Sequence, residues 1–168
     1  MKTDRRIFVI SLVIFLCIGC DQTTKTIAGR TLAVDKPVRL LGDIVHLEYS
    51  ENYGAMLGLG AELPAEARFW LFTVFAGCAL LGILAFTMVS GRLTPLNVIS
   101  LSLVLGGGLS NLIDRLLKGG VIIDFVEITV GPFKTAIFNV ADLTILVGLV
   151  MLILSNLSLP SKSSQGSV

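Results

Sequence analysis

The feature that most constrains this chain is a stretch without any charged residue, from Phe69 to Ser90. A helix needs about 20 mostly apolar residues to cross the roughly 30 Å hydrocarbon core of a bilayer, and this stretch is long enough. Two more apolar runs follow, Leu96 to Ile113 and Ala136 to Leu159, and the only charged residue within them is Asp142. The sequence therefore predicts several membrane-spanning helices.

Composition supports the same class of protein. Hydrophobic residues make up 54% of the 168 residues and charged residues only 15%, against about 25% charged in soluble domains. One soluble core of this size cannot bury so much apolar surface, which argues against a soluble enzyme, a disordered chain or a disulfide scaffold. The net charge of +1 and the lack of basic clusters with aromatic residues give no sign of nucleic-acid binding.

The first apolar run, Ile7 to Cys20, is short and fits the core of a signal peptide unless the helix continues through Asp21 and Lys25. We expect it to continue, which gives four spans. An even number places both termini on one side, and the basic head with Lys2 and Arg5 predicts the cytoplasm. A single integral membrane domain is expected, with spans near 7–28, 69–90, 96–116 and 137–159 and outer loops at 29–68 and 117–136.

The outer loops contain patterns typical of strands. Val38–Leu41 and Ile44–Tyr49 are rich in β-branched residues and are separated by the hairpin signal Gly42-Asp43. A second strand pair is predicted at Ile122–Val130 and Phe133–Phe138. We expect these strands to form one small sheet on the outer membrane face.

Leu63–Arg68 is typical of the start of a helix at the membrane interface, because Pro64 is tolerated in a first turn. The predicted fold class is an all-α membrane protein. It has four transmembrane helices, a small extracytoplasmic β-cradle and a short interfacial helix.

Ionisable groups in or near the hydrocarbon are costly, so each is a candidate for function. Asp21 and Lys25 are four residues apart and face the same side of a helix, either as an ion pair at a helix end or as part of a site. Asn111, Asp114 and Arg115 also share one helix face, after three glycines that permit close helix packing. These residues either hold a helix interface or belong to a site.

Asp142 lies inside an apolar run and shares a helix face with Asn139, whereas Asp124 lies in an apolar strand-like segment just before it. Either aspartate alone is typical of a solvated loop, but together they indicate a pair at the outer membrane surface. Two close carboxylates share a proton, so one can act as general base on water and the other as general acid. This is the chemistry of an aspartic protease.

Other catalytic chemistries lack their residues. The only histidine is His46, and neither a zinc motif nor a serine-hydrolase motif is present. Cys17 and Cys20 match C-x-x-C in spacing only, inside an apolar helix, so a redox role is not expected. Few residues typical of a pore are present, which does not favour a channel.

Several short motifs resemble those of one family, the lipoprotein signal peptidases, or bacterial type II signal peptidases. The resemblance covers most of the chain, and five motifs occur in the family's order: Asp21–Lys25, Asn52–Gly58, Gly107–Arg115, Asp124–Phe125 and Phe138–Asp142. It implies an intramembrane aspartic endopeptidase that cuts signal peptides from prolipoproteins, just before a cysteine that carries diacylglycerol.

The resemblance also implies roles for single residues. It places Asp124 and Asp142 as the catalytic pair. A second group supports the site or binds substrate: Asn52, Gly54, Asn111, Arg115 and Asn139. A third group forms a structural framework: Asp21, Lys25, Gly108 and Asp114. The two glycines belong to these groups because a missing side chain lets a backbone or a helix approach closely.

The implied partners are diacylglyceryl-modified prolipoproteins, membrane lipid and globomycin-type cyclic peptide inhibitors, with no metal and no organic cofactor. The implied location is the bacterial inner membrane, with the active site near the surface of the outer leaflet. Two other functions stay open. In the first, the chain is itself a lipoprotein that is lipidated at Cys20. In the second, it is a non-catalytic four-helix transporter in which Asp142 pairs with Arg115 as a proton relay.

Overall fold

The computed structural model describes residues 1–32, 37–55 and 58–157. Its helices are α1 Thr3–Thr31, α2 Ala65–Arg68, a π-helical segment Phe69–Phe75, α3 Ala76–Val89, α4 Pro95–Leu117 and α5 Val140–Leu157. Its strands are β1 Val38–Leu40, β2 Val45–Asn52, β3 Ile122–Val130 and β4 Phe133–Lys134. Residues 56 and 57 of the second family motif, and 158 and 159 of the predicted fourth span, lie outside the described residues.

Four helical stretches of the described chain are long and apolar enough to cross a membrane: Thr3–Thr31, Ala65–Val89, Pro95–Leu117 and Val140–Leu157. This confirms the predicted fold class. The first helix continues through Asp21 and Lys25, as expected. The helix start predicted at Leu63–Arg68 is α2, which runs through the π-helical segment directly into α3.

Helix α4 is the centre of the bundle, and small residues bring the other helices onto it. Each of the glycines Gly106–Gly108 faces a different helix. An added β-carbon would lie 2.6 Å from Cys17 of α1 at the first, 2.5 Å from Thr144 of α5 at the second and 2.6 Å from Leu80 of α3 at the third. Because real β-carbons do not come so close to their neighbours, a larger residue at Gly106 or Gly107 would push α1 or α5 away from α4, whereas one at Gly108 would first displace the flexible end of the Leu80 side chain.

Strands from the loops at 29–68 and 117–136 form one antiparallel sheet in the order β1-β2-β3-β4, which confirms the predicted small sheet. The turn between β1 and β2 contains three residues with positive φ: Leu41, Gly42 and Asp43. β4 is shorter than predicted, and Phe138 forms a separate bridge to Val126 on β3. This bridge brings the start of α5 alongside β3.

A register shift in the sheet sets the direction of two polar side chains. Between Leu47 and Ser50 the pairing of β2 with β3 slips by one residue, as in a β-bulge. Beyond the slip, Ser50 lies opposite Asp124, and the side chain of Asn52 falls on the same face as that carboxyl group. The bulge therefore places an amide beside a carboxyl group where β3 passes the start of α5.

Candidate active site

Asp142 lies in the first turn of α5, and Asn139 fixes its position. The Asn139 Oδ1 atom accepts a hydrogen bond from the backbone N–H of Asp142 at 2.9 Å. In return, the Asp142 Oδ2 atom accepts from the backbone N–H of Asn139 at 3.3 Å. This reciprocal arrangement is a capping box. It holds the carboxyl group at the end of the helix that favours negative charge.

Asp124 lies on β3 and is only 2% exposed. Its Oδ1 atom accepts from Asn139 Nδ2 at 2.6 Å, and its Oδ2 atom accepts from Asn52 Nδ2 at 2.9 Å. Asn139 thus contacts both carboxyl groups. Burial raises the pKa of Asp124 to about 6, and the nearby Asp142 carboxylate also raises it, whereas the hydrogen bonds from Asn52 and Asn139 oppose the rise.

Asn111 of α4 connects this pair to the interior of the bundle. Its Nδ2 atom donates to Asp142 Oδ1 at 2.9 Å. Its Oδ1 atom accepts from Lys25 Nζ at 2.8 Å and from Asn139 Nδ2 at 3.2 Å. Because the lysine can only donate, it fixes which side of the Asn111 amide faces Asp142.

Below Asn111 lies a buried group of charges, which we call the lysine cluster: Lys25, Asp21 and Asp114. Lys25 Nζ is 2.6 Å from Asp21 Oδ2 and 2.8 Å from Asp114 Oδ2, and the side chains are at most 1% exposed. The ammonium group therefore contacts three acceptors, the third being Asn111 Oδ1. Such a buried ion group is stable only when its charges are paired and hydrogen-bonded, as they are here.

The lysine cluster also holds three helices together. The Asp21 Oδ1 atom accepts from the backbone N–H of Ala141 at 2.8 Å, so a residue of α1 caps the start of α5. The Asp21 Oδ2 atom accepts from Ser110 Oγ of α4 at 2.7 Å. Asp114 Oδ1 accepts from Lys118 Nζ at 2.8 Å. The helix that carries Asp142 is thus tied to α1 and α4 directly beside that residue.

Two further residues of this network, Gln22 and Ser110, are not predicted as site residues from the sequence. Gln22 Nε2 donates to Ser110 Oγ at 3.0 Å and to Asp114 Oδ1 at 3.1 Å. Both Gln22 and Ser110 lie inside the motifs quoted above. Their uncharged side chains do not indicate a role in the site, because polar side chains in helices often form hydrogen bonds with the backbone of their own helix.

Arg115 points away from the lysine cluster. Its Nη2 atom donates to the Gly54 carbonyl oxygen at 2.9 Å, and its guanidinium lies 5.6 Å from the centre of the Phe72 ring. The N–H of Gly54 donates to Asn52 Oδ1 at 2.8 Å, so the arginine and the asparagine hold the same turn. Among the described residues, no ion pair within 4.0 Å joins Arg115 to Asp142, so the pairing expected of a proton relay is not formed.

A cleft of about 300 Å³ opens beside Asp142. Asn52, Asn111 and Arg115 also line it, and Gly108 forms part of its floor. The remaining walls are apolar residues from the turn after β2, the second span, β3 and α5: Ala55, Phe72, Ala76, Ala79, Leu80, Ile122 and Ile145. A second apolar cleft of about 290 Å³ reaches Asp142 from the other side, between α5 and the end of the sheet.

This arrangement combines two carboxyl groups with apolar surroundings. Among the residues the structure describes, no cation lies within 4.0 Å of Asp124 or Asp142, and no group of three His, Cys, Asp or Glu side chains is placed to hold a metal ion. Two such groups can divide the work of general base and general acid on a water molecule. Every residue that the sequence predicted for the site except Gly54 lies at this pair, in the lysine cluster or on the walls of the cleft, and Gly54 lies in the adjoining turn, bonded to Arg115 and Asn52.

Comparison with known proteins gives a family match. Residues 13–158 match the Peptidase_A8 family, signal peptidase (SPase) II. The lipoprotein signal peptidase of Brevibacillus brevis is 33% identical over 143 residues, which cover 85% of this chain and 91% of the relative. That of Hydrogenovibrio crunogenus is 36% identical over 140 residues, covering 83% and 80% respectively.

Two solved structures share the fold. One bacterial membrane enzyme, solved at 2.3 Å by the in meso method, superposes with a TM-score of 0.76 at 24% identity, covering 98% of this chain and 94% of its own. Another, at 1.9 Å, gives a TM-score of 0.75 at 22% identity, with 92% and 94% covered. Together with the four apolar helices, this makes the chain a multi-pass membrane protein.

Proposed function

The chain belongs to the signal peptidase II family, and from this premise we propose that Asp124 and Asp142 carry out its peptidase reaction. The substrate is a prolipoprotein, and the cut falls just before a cysteine that carries diacylglycerol. The observation that supports this proposal is the position of the pair. Both carboxyl groups are held by Asn139 and have no cation beside them among the described residues, and Asp142 lines both clefts.

The surroundings assign a role to each carboxyl group. Asp142 is the general base, because the first turn of α5 and the amide of Asn111 both favour its charged form. Asp124 is the general acid, because burial favours its protonated form.

The chemistry then proceeds in two steps. Asp142 takes a proton from a water molecule while the oxygen of that water attacks the scissile carbonyl carbon. At the same time, protonated Asp124 donates a hydrogen bond to the carbonyl oxygen. When the C–N bond of the tetrahedral species breaks, Asp124 donates its proton to the leaving amine nitrogen and the oxyanion reforms the carbonyl group. The proton that Asp142 took from water then passes to Asp124, which restores the starting pair.

The clefts suit a lipid-linked peptide. A diacylglyceryl cysteine keeps its acyl chains in the bilayer while the neighbouring peptide bond stays near the surface. The apolar side of the first cleft, with Phe72, Leu80 and Ile145, and its polar side at Asn52 and Asp142 match these two parts. A globomycin-type cyclic peptide with an acyl chain would compete for the same cleft, and no cofactor is needed.

The proposed location follows from the same fit. The site lies where α4 and α5 meet the sheet, which we place at the outer surface of the bacterial inner membrane. Both termini are then cytoplasmic, in line with the basic residues of the N-terminal head.

The test is cleavage of a purified diacylglyceryl-modified prolipoprotein by the protein in detergent, followed by gel shift. Asp124→Asn and Asp142→Asn are each expected to lose at least about 1000-fold in rate, because each removes one half of the acid–base pair. Asp43→Asn is the matched control, since Asp43 lies in an exposed turn with a side chain 58% exposed. Near-full cleavage by either folded variant of the pair would refute the proposed mechanism.

A further inference from the structure

At the end of the bundle opposite the sheet, one arginine is buried without a full counter-charge. Arg6 of α1 is 6% exposed. Its Nη1 atom donates to the carbonyl oxygens of Ser90 at 2.7 Å and Met88 at 3.2 Å. Its Nε atom is buried and has no hydrogen-bond partner among the described residues. No carboxylate in the described ranges lies within 4.0 Å of it.

The carbonyl groups at the end of α3 account for only part of this charge. A helix C-terminus carries the equivalent of about half a negative charge. Buried charges in proteins are normally paired with an opposite full charge, because isolated ones are costly to remove from water. The side chain of Arg5, the residue before Arg6, is exposed and therefore needs no partner of opposite charge. Arg6 therefore has both a spare donor and uncompensated positive charge.

An apolar groove of about 460 Å³ lies between α1 and α3, and its lining includes Ile7, the residue that follows Arg6. Ile10, one helical turn from Arg6 on the same face, lines it, as do Ile14 and Ile18 further along. Met88, whose carbonyl accepts from Arg6, lines the facing side. From Ile7 to Ile18 the groove is about 16 Å long, which matches one leaflet of a roughly 30 Å hydrocarbon core.

We propose that this groove binds one acyl chain of an anionic phospholipid whose phosphate accepts hydrogen bonds from Arg6. A guanidinium and a phosphate form a charge-assisted pair, which supplies the missing counter-charge. The charge of the neighbouring chain favours the same ligand. Lys2, Arg5 and Arg92 lie near this end in sequence, and Asp4 is the only acidic residue among them. Basic pockets between transmembrane helices are known to bind anionic lipid headgroups.

The lipid would also join two helices. α1 and α3 each pack against α4, and beyond the contact of Arg6 with the end of α3 the groove lies between them. An acyl chain in the groove would fill this space along the length of one leaflet. The site lies at the far end of the molecule from Asp142, so the inference does not depend on the proposed function.

The first test is native mass spectrometry of the purified protein after adding phosphatidylglycerol or phosphatidylcholine with the same acyl chains. The wild type is expected to retain one phosphatidylglycerol and about tenfold less phosphatidylcholine. Arg6→Gln should lose that preference, Arg6→Lys should keep it because the charge remains, and the exposed neighbour Arg5→Gln is the matched control. Equal retention of both lipids by the wild type, or equal phosphatidylglycerol binding by wild type and Arg6→Gln, would overturn the proposal.

A second variant tests the groove without touching the arginine. Ser11 lines the groove, so Ser11→Phe fills it while leaving Arg6 in place. We expect this variant to lose phosphatidylglycerol about tenfold as well, with unchanged prolipoprotein cleavage. Inorganic phosphate should not displace the lipid, since it has no chain for the groove. Full lipid binding by Ser11→Phe, or displacement by phosphate alone, would show that the groove takes no part.

Discussion

The interior of this protein holds two pairs of aspartates in contrasting surroundings. Asp21 and Asp114 share the ammonium group of Lys25 at 2.6 and 2.8 Å. Asp124 and Asp142 lie close by, but within the described part of the chain they receive hydrogen bonds only from amide groups. The position of one ammonium group therefore separates the two pairs. The carboxylates that contact it stabilise the fold, whereas the carboxyl groups that do not contact it remain able to exchange a proton.

Asn111 lies between the two pairs and keeps them apart. Its oxygen accepts from Lys25 at 2.8 Å, and its nitrogen donates to Asp142 at 2.9 Å. The lysine therefore acts on Asp142 mainly through an oriented amide, not through direct contact. An amide favours the charged carboxylate less strongly than an ion pair does, so the carboxylate stays available as a base.

The largest effect is expected from removing the shared ammonium group. Lys25→Met leaves Asp21 buried without a cation and leaves Asp114 with Lys118 as its remaining cation among the described residues, which should lower the free energy of unfolding by about 3–5 kcal/mol. The measurement is equilibrium unfolding in mixed detergent micelles. Arg39→Met is the matched control, because the Arg39–Asp43 pair is exposed and contributes at most about 1 kcal/mol. If both variants were equally stable, the lysine cluster would not hold the fold.

A second prediction concerns the pH dependence of stability. The pKa of Asp124 is raised from an ordinary 3.8 to about 6, so the folded state favours the protonated form. Stability from this group is full below pH 4 and is lost as the pH rises to about 6. Asp124→Asn stays neutral, so its stability relative to the wild type should grow over this range and then level off, by at most about 3 kcal/mol.

The same unfolding measurement between pH 4 and pH 8 checks this, with the exposed Asp43→Asn as control. The control difference should stay flat over the range in which that of Asp124→Asn grows. A difference for Asp124→Asn that does not change with pH would mean that burial does not favour the protonated carboxyl group.

A smaller effect is expected from Ser110→Ala, which removes the hydrogen bond that Ser110 donates to Asp21 and the one that it accepts from Gln22 but keeps Lys25 in place. The free energy of unfolding should fall by about 1.5 kcal/mol, typical of a hydrogen bond to a charged group. Because Ser110 does not touch Asp124 or Asp142, the pH profile of kcat/KM should keep its midpoints. A shifted midpoint in that profile would show that the two pairs of aspartates are not separate.

The sequence predicts well those features that depend on residues close together in the chain. Runs of apolar residues determine the spans because helix length must match the bilayer. The spacing of Asp21 and Lys25 predicts their ion pair because residues four apart share a helix face. The hairpin before β2 was predicted from Gly42-Asp43, and its residues do adopt positive φ.

The rest depends on contacts between distant parts of the chain. Asp114 and Arg115 are neighbours in sequence, yet one turns inward to Lys25 and the other outward to Gly54, because successive helix residues point in different directions. The slip between β2 and β3, which places Asn52 beside Asp124, depends on the pairing of strands from two loops that are distant in the sequence. Neither outcome can be derived from composition or periodicity.

The most direct test of the difference between the two pairs of aspartates is to replace each of the four by asparagine. The rate of prolipoprotein cleavage per folded molecule and the free energy of unfolding are measured for every variant. We expect Asp124→Asn and Asp142→Asn to lose cleavage while they stay folded. We expect Asp21→Asn and Asp114→Asn to lose stability, whereas their folded fraction still cleaves the prolipoprotein. Cleavage that survives in either of the first two variants, or is abolished in the folded fraction of either of the last two, would contradict this expectation.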